Sequence, residues 1–371
     1  MLAKLREDVI GEGTSTMKTI LHIGMGKAGS STIQNVLLMN REKLLSSGCL
    51  YPLDLLPNKN LGGDNQKTLA FAAKNNALSR GYMRRYKVSN ANQFAQFKKD
   101  VVSAYQKQLK ACKQEDYAIL SAEQFWSELV SVNEICNLKG LLEEIGFSVE
   151  RIVFYIREQS AWVNSFLHQK IKEGSLKNFE LPFSFNFLFD RLNYLHTSSM
   201  WQSVFDEAEI DLRVFDKDCF FKLDLIFDFL HATGKPELIR LLGDYKTFLS
   251  NNVNESNYNE NICKSIVYFN QVSQKSDYLK KQNLAGRKLA EHLVELDEDK
   301  SQRGSVKLIT QEEVRNIRAM FESSNKLLFE QYNLNAKDFN FESLDCFPEQ
   351  KIIPFNQETF FEYYYKSIAK A

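Results

Sequence analysis

Along the first 220 residues, short apolar runs alternate with longer stretches whose apolar positions recur every three or four residues. That alternation predicts an α/β fold, a parallel sheet covered by helices. The first strand is read at 18–24, and its helix from about Gly29 to Ser47, with Ile33, Val36, Leu37 and Leu44 on one face and Gly48 as the stop. A short strand follows at 49–52. Residues 53–88 read as irregular or weakly helical, and 89–112 as a helix starting at Ser89 or Asn90. YAILS at 117–121 is an apolar strand, and Ser131 with Glu134 forms a capping-box signature for a helix that ends near Gly146.

SVERIVFYIR at 148–157 is the run richest in β-branched and aromatic residues, which predicts a central strand with a helix starting at Glu158 or Gln159. The last strand is IDLRVFD at 210–216, before a helix at 223–233 that stops at Gly234. Helical periodicity then takes over, as in Val314, Ile317, Phe321 and Leu328, with a long loop at 243–261 and a charged connector at 297–305. The expected organisation is a flexible extension at 1–17, an α/β domain at 18–260 and a mostly helical region at 261–371 packed on the core.

Composition narrows the function. Lys plus Arg and Asp plus Glu are both 47, so the net charge is zero and a strongly basic nucleic-acid binder is disfavoured. The six cysteines, at 49, 112, 136, 219, 263 and 346, form no C-x-x-C pair and have no histidine cluster beside them. They read as reduced thiols of a cytoplasmic protein rather than zinc ligands. No apolar run approaches the ~18 residues of a membrane span, and the N-terminus lacks a signal-peptide core.

The chemistry concentrates in ILHIGMGKAGSSTIQ at 20–34, where an apolar strand runs through a glycine-containing loop into a helix opened by Ser30, Ser31 and Thr32. Unpartnered N–H groups at a helix start, the macrodipole and hydroxyl side chains together make an anion socket. Gly24, Gly26 and Gly29 formally match a dinucleotide fingerprint, with Asp54 downstream as a ribose ligand, but Lys27 is out of place there. A magnesium-dependent kinase or nucleotidase loop needs a glycine where Leu21 stands, and a Ser or Thr where Ala28 stands. The loop thus has a phosphate-binding lysine without the adjacent magnesium ligand.

Lys27, Gly29, Ser30 and Ser31 match the K-x-G-[ST]-[ST] loop of the sulfotransferases that use 3′-phosphoadenosine 5′-phosphosulfate (PAPS), and here the chain resembles that family, in particular its bacterial, carbohydrate-modifying branch. FYIREQSAWVNS supplies the family's second element, Arg157 at a strand end and Ser165 eight residues later. A guanidinium at a strand mouth and a hydroxyl in the following helix can converge on one dianion. The resemblance extends through Trp201 and the run at 228–234 to Asn254, Glu255 and Ser256, covering roughly residues 18–260. It departs from the family at Gly26, where proline is common, and at Ala28, where threonine is common.

The resemblance implies a P-loop-like fold and a metal-free sulfuryl transfer from PAPS to an acceptor hydroxyl, on a carbohydrate by analogy with that branch, leaving adenosine 3′,5′-bisphosphate. Lys27, Ala28, Gly29, Ser30, Ser31 and Thr32 would hold the 5′-phosphosulfate, with Lys27 stabilising the leaving phosphate, and Arg157 and Ser165 would hold the 3′-phosphate. The base that draws the acceptor proton is Glu123, His168 or Asp64 in that order, while His22, inside the first strand, is structural or flanks the donor. Each has a plainer role: a glutamate in a first helical turn suits the dipole, a histidine on an inner helix face is commonly core, and Asp64 lies in a turn-like GGDNQ. Arg80, Arg84, Arg85 and Lys87 with Tyr82 and Tyr86 would suit an anionic glycan or simply face solvent, and the cluster Phe360, Phe361, Tyr363, Tyr364 and Tyr365 lines a cleft or docks a terminal helix. The alternatives are a magnesium-dependent nucleotide kinase or triphosphatase, and a non-catalytic nucleotide-binding scaffold.

Overall fold

The computed structural model describes residues 16–54, 63, 65–75, 77–79, 81–110, 112–113, 116–176, 178–182, 184–248, 258–273, 283–296, 306–339 and 341–370. Five strands form one parallel sheet: β1 (Met17–Ile23), β2 (Cys49–Leu50), β3 (Tyr117–Ala122), β4 (Phe147–Ile156) and β5 (Glu209–Val214), in the order β2-β3-β1-β4-β5. The helices are α1 (Ser30–Met39), α2 (Arg41–Ser46), α3 (Lys67–Ala73), α4 (Ala91–Leu109), α5 (Glu123–Glu128), α6 (Val132–Ile145), α7 (Gln159–Lys172), α8 (Phe185–Leu192), α9 (Tyr194–Val204), α10 (Leu225–Ala232), α11 (Pro236–Leu241), α12 (Glu260–Ser273), α13 (Asn283–Leu296), α14 (Gln311–Tyr332) and α15 (Gln357–Lys370).

Two compact units divide the chain. One holds the described residues up to Ile156 together with those of Leu195–Leu249; the other holds Arg157–Tyr194 and those from residue 250 onward. The first is the α/β unit. β1 lies in its middle, pairing with β3 through Lys18 to Ile23 and with β4 through Met17 to Ile23. Buried on both faces, β1, β3 and the second half of β4 read as nearly continuous apolar runs, which is why the sequence shows them so clearly. The second unit is helical. Its α14 buries Val314, Ile317, Phe321 and Leu328, the periodic set the sequence predicts, and Phe321 stacks on Phe189 of α8 with centroids 5.9 Å apart.

Local chemistry sets the element ends. Asn90 caps α4 by accepting from Gln93 N–H, and Ser131 caps α6 by accepting from Glu134 N–H. The Glu134 carboxylate does not close a capping box; it accepts instead from Val130 N–H and Asn75 N–H. The single helix expected at 29–47 is two, because Asn40 leaves helical geometry and turns its side-chain amide back to Val36 O at 2.8 Å. The helix expected at 223–233 starts at Leu225, where Asp224 accepts from Ile226 and Phe227 N–H. The expected extension at 1–15, Asp64, Arg80, the loop residues 249–257 and the connector at 297–305 lie outside the described residues.

A buried ionic cluster anchors α10 to the sheet. Asp228 is 1% exposed and accepts two hydrogen bonds from Arg213 on β5 at 2.7 and 2.6 Å, one from the Tyr155 hydroxyl on β4 at 2.6 Å and one from Phe221 N–H at 2.7 Å. Removing one partner from such a cluster leaves the others desolvated and unmatched. Asp228→Ala is expected to cost about 3–5 kcal/mol of stability, read as a fall in the urea midpoint at unchanged slope. A midpoint within experimental error of the parent would refute this role.

Candidate functional site

The loop 24–29 leaves β1 at the carboxyl end of the sheet, where parallel α/β sheets place their ligands. Gly24 extends the ladder by one bond, donating to Ala122 O at 3.2 Å. A Cβ there would sit 3.1 Å from both Glu123 N and Ser30 Cβ, a tight approach that glycine suits. At Gly26 a Cβ would sit 2.8 Å from the carboxylate Oε1 of Glu123. The chain then turns, closed by Ala28 N–H donating to Met25 O at 3.3 Å, with Lys27 at φ 67°. A left-handed lysine costs about 1–2 kcal/mol, a strain typical of functional loops.

Gly29 follows at φ 76° as the residue before α1, and a Cβ on it would collide with Leu225 and lie 2.7 Å from Phe215 Cε2. It brings no side chain to cap the helix, so no side-chain acceptor engages the first amides of α1. The first helical bond runs from Ile33 N–H to Gly29 O at 3.1 Å, which leaves the Ser30, Ser31 and Thr32 N–H groups outside the helical ladder. Ser30 is buried, Thr32 half-buried and Ser31 exposed; Ala28 is buried and Lys27 half-buried. The loop and the α1 start therefore form an anion-accepting corner of the α/β unit, with the Glu123 carboxylate beside it at Gly26.

A polar layer braces this corner from behind. His22 Nδ1 and Ser121 Oγ are 2.7 Å apart, Gln34 of α1 donates to the same Oγ at 3.1 Å, and Asn65 donates to Gln34 Oε1 at 3.4 Å. Gln66 brackets Ser121 like a strand neighbour, donating N–H to its carbonyl at 3.2 Å and accepting its N–H through Oε1 at 2.6 Å. Complete burial pushes the His22 imidazole down to about 3, so it serves as a neutral hydrogen-bond partner locking β1 to β3. Isolated Gln and Asn residues give no sequence signal for such a layer, and the sequence predicts none of it beyond a structural His22.

Asp54 is no ribose ligand. It is 2% exposed, and its Oδ1 accepts from the Thr68 hydroxyl, from Thr68 N–H at 3.3 Å and from the Tyr105 hydroxyl at 2.9 Å. Burial raises its carboxyl to about 6, opposed by the bonds from Thr68 and Tyr105.

The remaining expected site residues belong to the helical unit. Arg157 follows β4 directly and is half-buried, with its carbonyl accepting from the Tyr194 hydroxyl at 2.6 Å. Ser165 is half-buried on α7. Glu158 caps α7 with its own carboxylate, accepting from Ala161 N–H at 2.8 Å and Ser160 Oγ at 2.6 Å, so the start of α7 is closed to anions where the start of α1 is open. His168 is 4% exposed on the inner face of α7 with Nε2 3.0 Å from Val306 O, a core position. Of the acceptor candidates, Tyr86 packs between Phe71 and Phe97 while Arg84, Arg85 and Lys87 face solvent. Phe360 is buried beside Tyr268 of α12 and Tyr364, so the C-terminal aromatics dock α15.

The raised carboxyl of Asp54 has a definite sign. Its folded-state value near 6 exceeds the ordinary 3.8, so the folded state binds the proton more tightly and stability falls as pH rises from about 4 to 6. Asp54→Asn keeps the Oδ1 acceptor and should remove this slope, worth about 3 kcal/mol across the window. Parallel urea titrations of parent and variant at pH 4 and 7 check it; identical pH dependence would contradict the assignment.

Comparison with known proteins gives one distant likeness. An uncharacterized protein of Archaeoglobus fulgidus (strain ATCC 49558 / DSM 4304 / JCM 9628 / NBRC 100126 / VC-16) is 27% identical over 242 residues, 64% of this chain and 60% of that protein, so the match spans less than two thirds of the relative's length. No protein-family profile matches the chain, and no solved structure matches it.

Proposed function

We propose that the protein is a PAPS-dependent sulfotransferase acting on an acceptor hydroxyl. The observation that carries the reading is the open corner after β1: left-handed Lys27 and Gly29, two glycines admitting Glu123, and three α1 amides with no side-chain cap. Such a corner suits a terminal phosphosulfate, whose oxygens take the amides of Ser30, Ser31 and Thr32, the Ser31 and Thr32 hydroxyls and the Lys27 ammonium. Arg157 fits the 3′-phosphate role by its place in the chain. Ser165 is the hydroxyl assigned to the same phosphate.

Transfer is an in-line displacement in which the acceptor oxygen forms a bond to sulfur as the bond from sulfur to the bridging phosphate oxygen breaks. Lys27 neutralises charge on the departing bisphosphate, and the acceptor proton passes to a carboxylate. Glu123 is that carboxylate, since it is half-buried and lies against Gly26 beside Lys27, whereas His168 has its Nε2 at the Val306 carbonyl. A cytoplasmic setting, read from the scattered cysteines, and a carbohydrate acceptor, implied by the family resemblance, belong to the same proposal.

Adenosine 3′,5′-bisphosphate should raise the melting temperature in a saturable manner, more than ATP with magnesium does. Arg157→Ala is expected to weaken that binding by about 10- to 100-fold, as loss of a charge-assisted bond does. Lys27→Ala should leave binding within severalfold and cut turnover by roughly 10²–10³. A folded protein showing no shift at millimolar bisphosphate would refute the reading. Glu123→Gln should abolish most turnover at unchanged bisphosphate affinity, measured by release of bisphosphate from PAPS in a glycan and phenol acceptor panel; full activity would remove Glu123 as the base.

A further inference from the structure

The helical unit carries a groove of 830 Å³ along α14, well within the range of small-molecule sites. Its lining runs from Arg315 to Glu330 on α14 and on to Leu334, which at ~1.5 Å per residue makes it about 22 Å long between the first and last of the α14 residues. The two ends differ in chemistry. At one, Arg315 and Arg318 stand a helical turn apart, and the Arg318 guanidinium lies over the Phe341 ring at 5.1 Å. At the other, Phe329, Leu334 and Ala336 form an apolar floor.

Of the two cations at the polar end, Arg318 is ion-paired with the buried Glu158, whereas Arg315 has no carboxylate within ion-pair distance among the described residues. Arg315 donates to the neutral amide of Gln311 at 3.2 Å, and Arg318 donates to Glu342 O at 2.9 Å. Its nearest carboxylate, Glu158 Oε1, is 3.6 Å from Nε, beyond hydrogen-bond reach, and both atoms are buried without a hydrogen-bond partner among the described residues. Glu322 and Glu330 also line the groove, but they are exposed and stand further along α14, beside Lys326. Arg315 and Arg318 follow one another in the lining with no lining carboxylate between them, which makes that end the place for an acid head.

The wall is preformed. Asn325, which lines the groove, exchanges two amide hydrogen bonds with Gln159 at 2.9 and 3.1 Å, and Gln159 also donates to Leu192 O at 3.3 Å. These ties hold α14 to the first turn of α7 and keep the groove from collapsing. An elongated, largely apolar trough with cations at one end matches a linear chain bearing one acidic head.

We propose that this groove binds a single-chain amphiphile with an anionic head, the head between Arg315 and Arg318 and the chain over Phe329 and Leu334. The proposal stands independently of the transferase reading. Isothermal titration of the full chain with dodecanoate, below its micelle concentration, should show saturable one-to-one binding. Octanoate should bind at least tenfold more weakly, as four fewer buried methylenes require. Dodecyltrimethylammonium should not compete.

Arg315→Ala, at an exposed position, should weaken dodecanoate at least fivefold without changing helix content by circular dichroism. Leu334→Asp should abolish binding. Equal affinity for the cationic amphiphile, no dependence on chain length, or parent-like binding by Arg315→Ala would overturn the proposal. So would the absence of dodecanoate binding.

Discussion

The α/β unit depends on a steric constraint at one loop. Residues 24–29 run between Glu123 on one side and Phe215 with Leu225 on the other; a Cβ would be tight against Glu123 N at Gly24, would displace the Glu123 carboxylate at Gly26 and would collide with Leu225 and Phe215 at Gly29. Because space and the left-handed turns at Lys27 and Gly29 fix the backbone, α1 must start where it does, with its first amides outside the helical ladder. The polar layer of His22, Ser121, Gln34 and Gln66 then holds β1, β3 and α1 at that spacing. Burial keeps His22 neutral, so the layer adds hydrogen bonds without adding a buried charge.

Seen this way, the two helix starts that follow β1 and β4 have opposite electrostatic character. Gly29 leaves α1 open to an anion, while Glu158 closes α7 with a carboxylate that already sits on Ala161 N–H and Ser160 Oγ. An anion held by Arg157 and Ser165 would be held by side chains, not by the α7 dipole. The proposed donor site is accordingly asymmetric: backbone and lysine for the reacting end, guanidinium and hydroxyl for the other. That division fits a reaction in which charge builds up at only one of the two phosphates.

Much of the sheet was legible because its strands are buried on both faces and so appear as unbroken apolar runs such as YAILS and RIVFYI. The loop was legible because its glycines, lysine and hydroxyls are contiguous. What escaped is what depends on partners distant in the chain. Nothing local marks Asn40 as the break between α1 and α2, or assigns Arg157–Tyr194 to the helical unit, whose α7 is tied to α14 through Gln159 and Asn325, 166 residues apart. Asp54 looked like a ligand by its spacing and proved to be a buried acceptor for Thr68 and Tyr105, a role that only the approach of α3 and α4 creates.

The α1 corner is proposed to grip a phosphate. The most direct measurement is a crystal structure of the full chain with adenosine 3′,5′-bisphosphate. The 5′-phosphate oxygens should lie within about 3 Å of the Ser30, Ser31 and Thr32 amides, with the Lys27 ammonium turned toward them. A nucleotide bound elsewhere, with that corner empty at saturating concentration, would contradict the account.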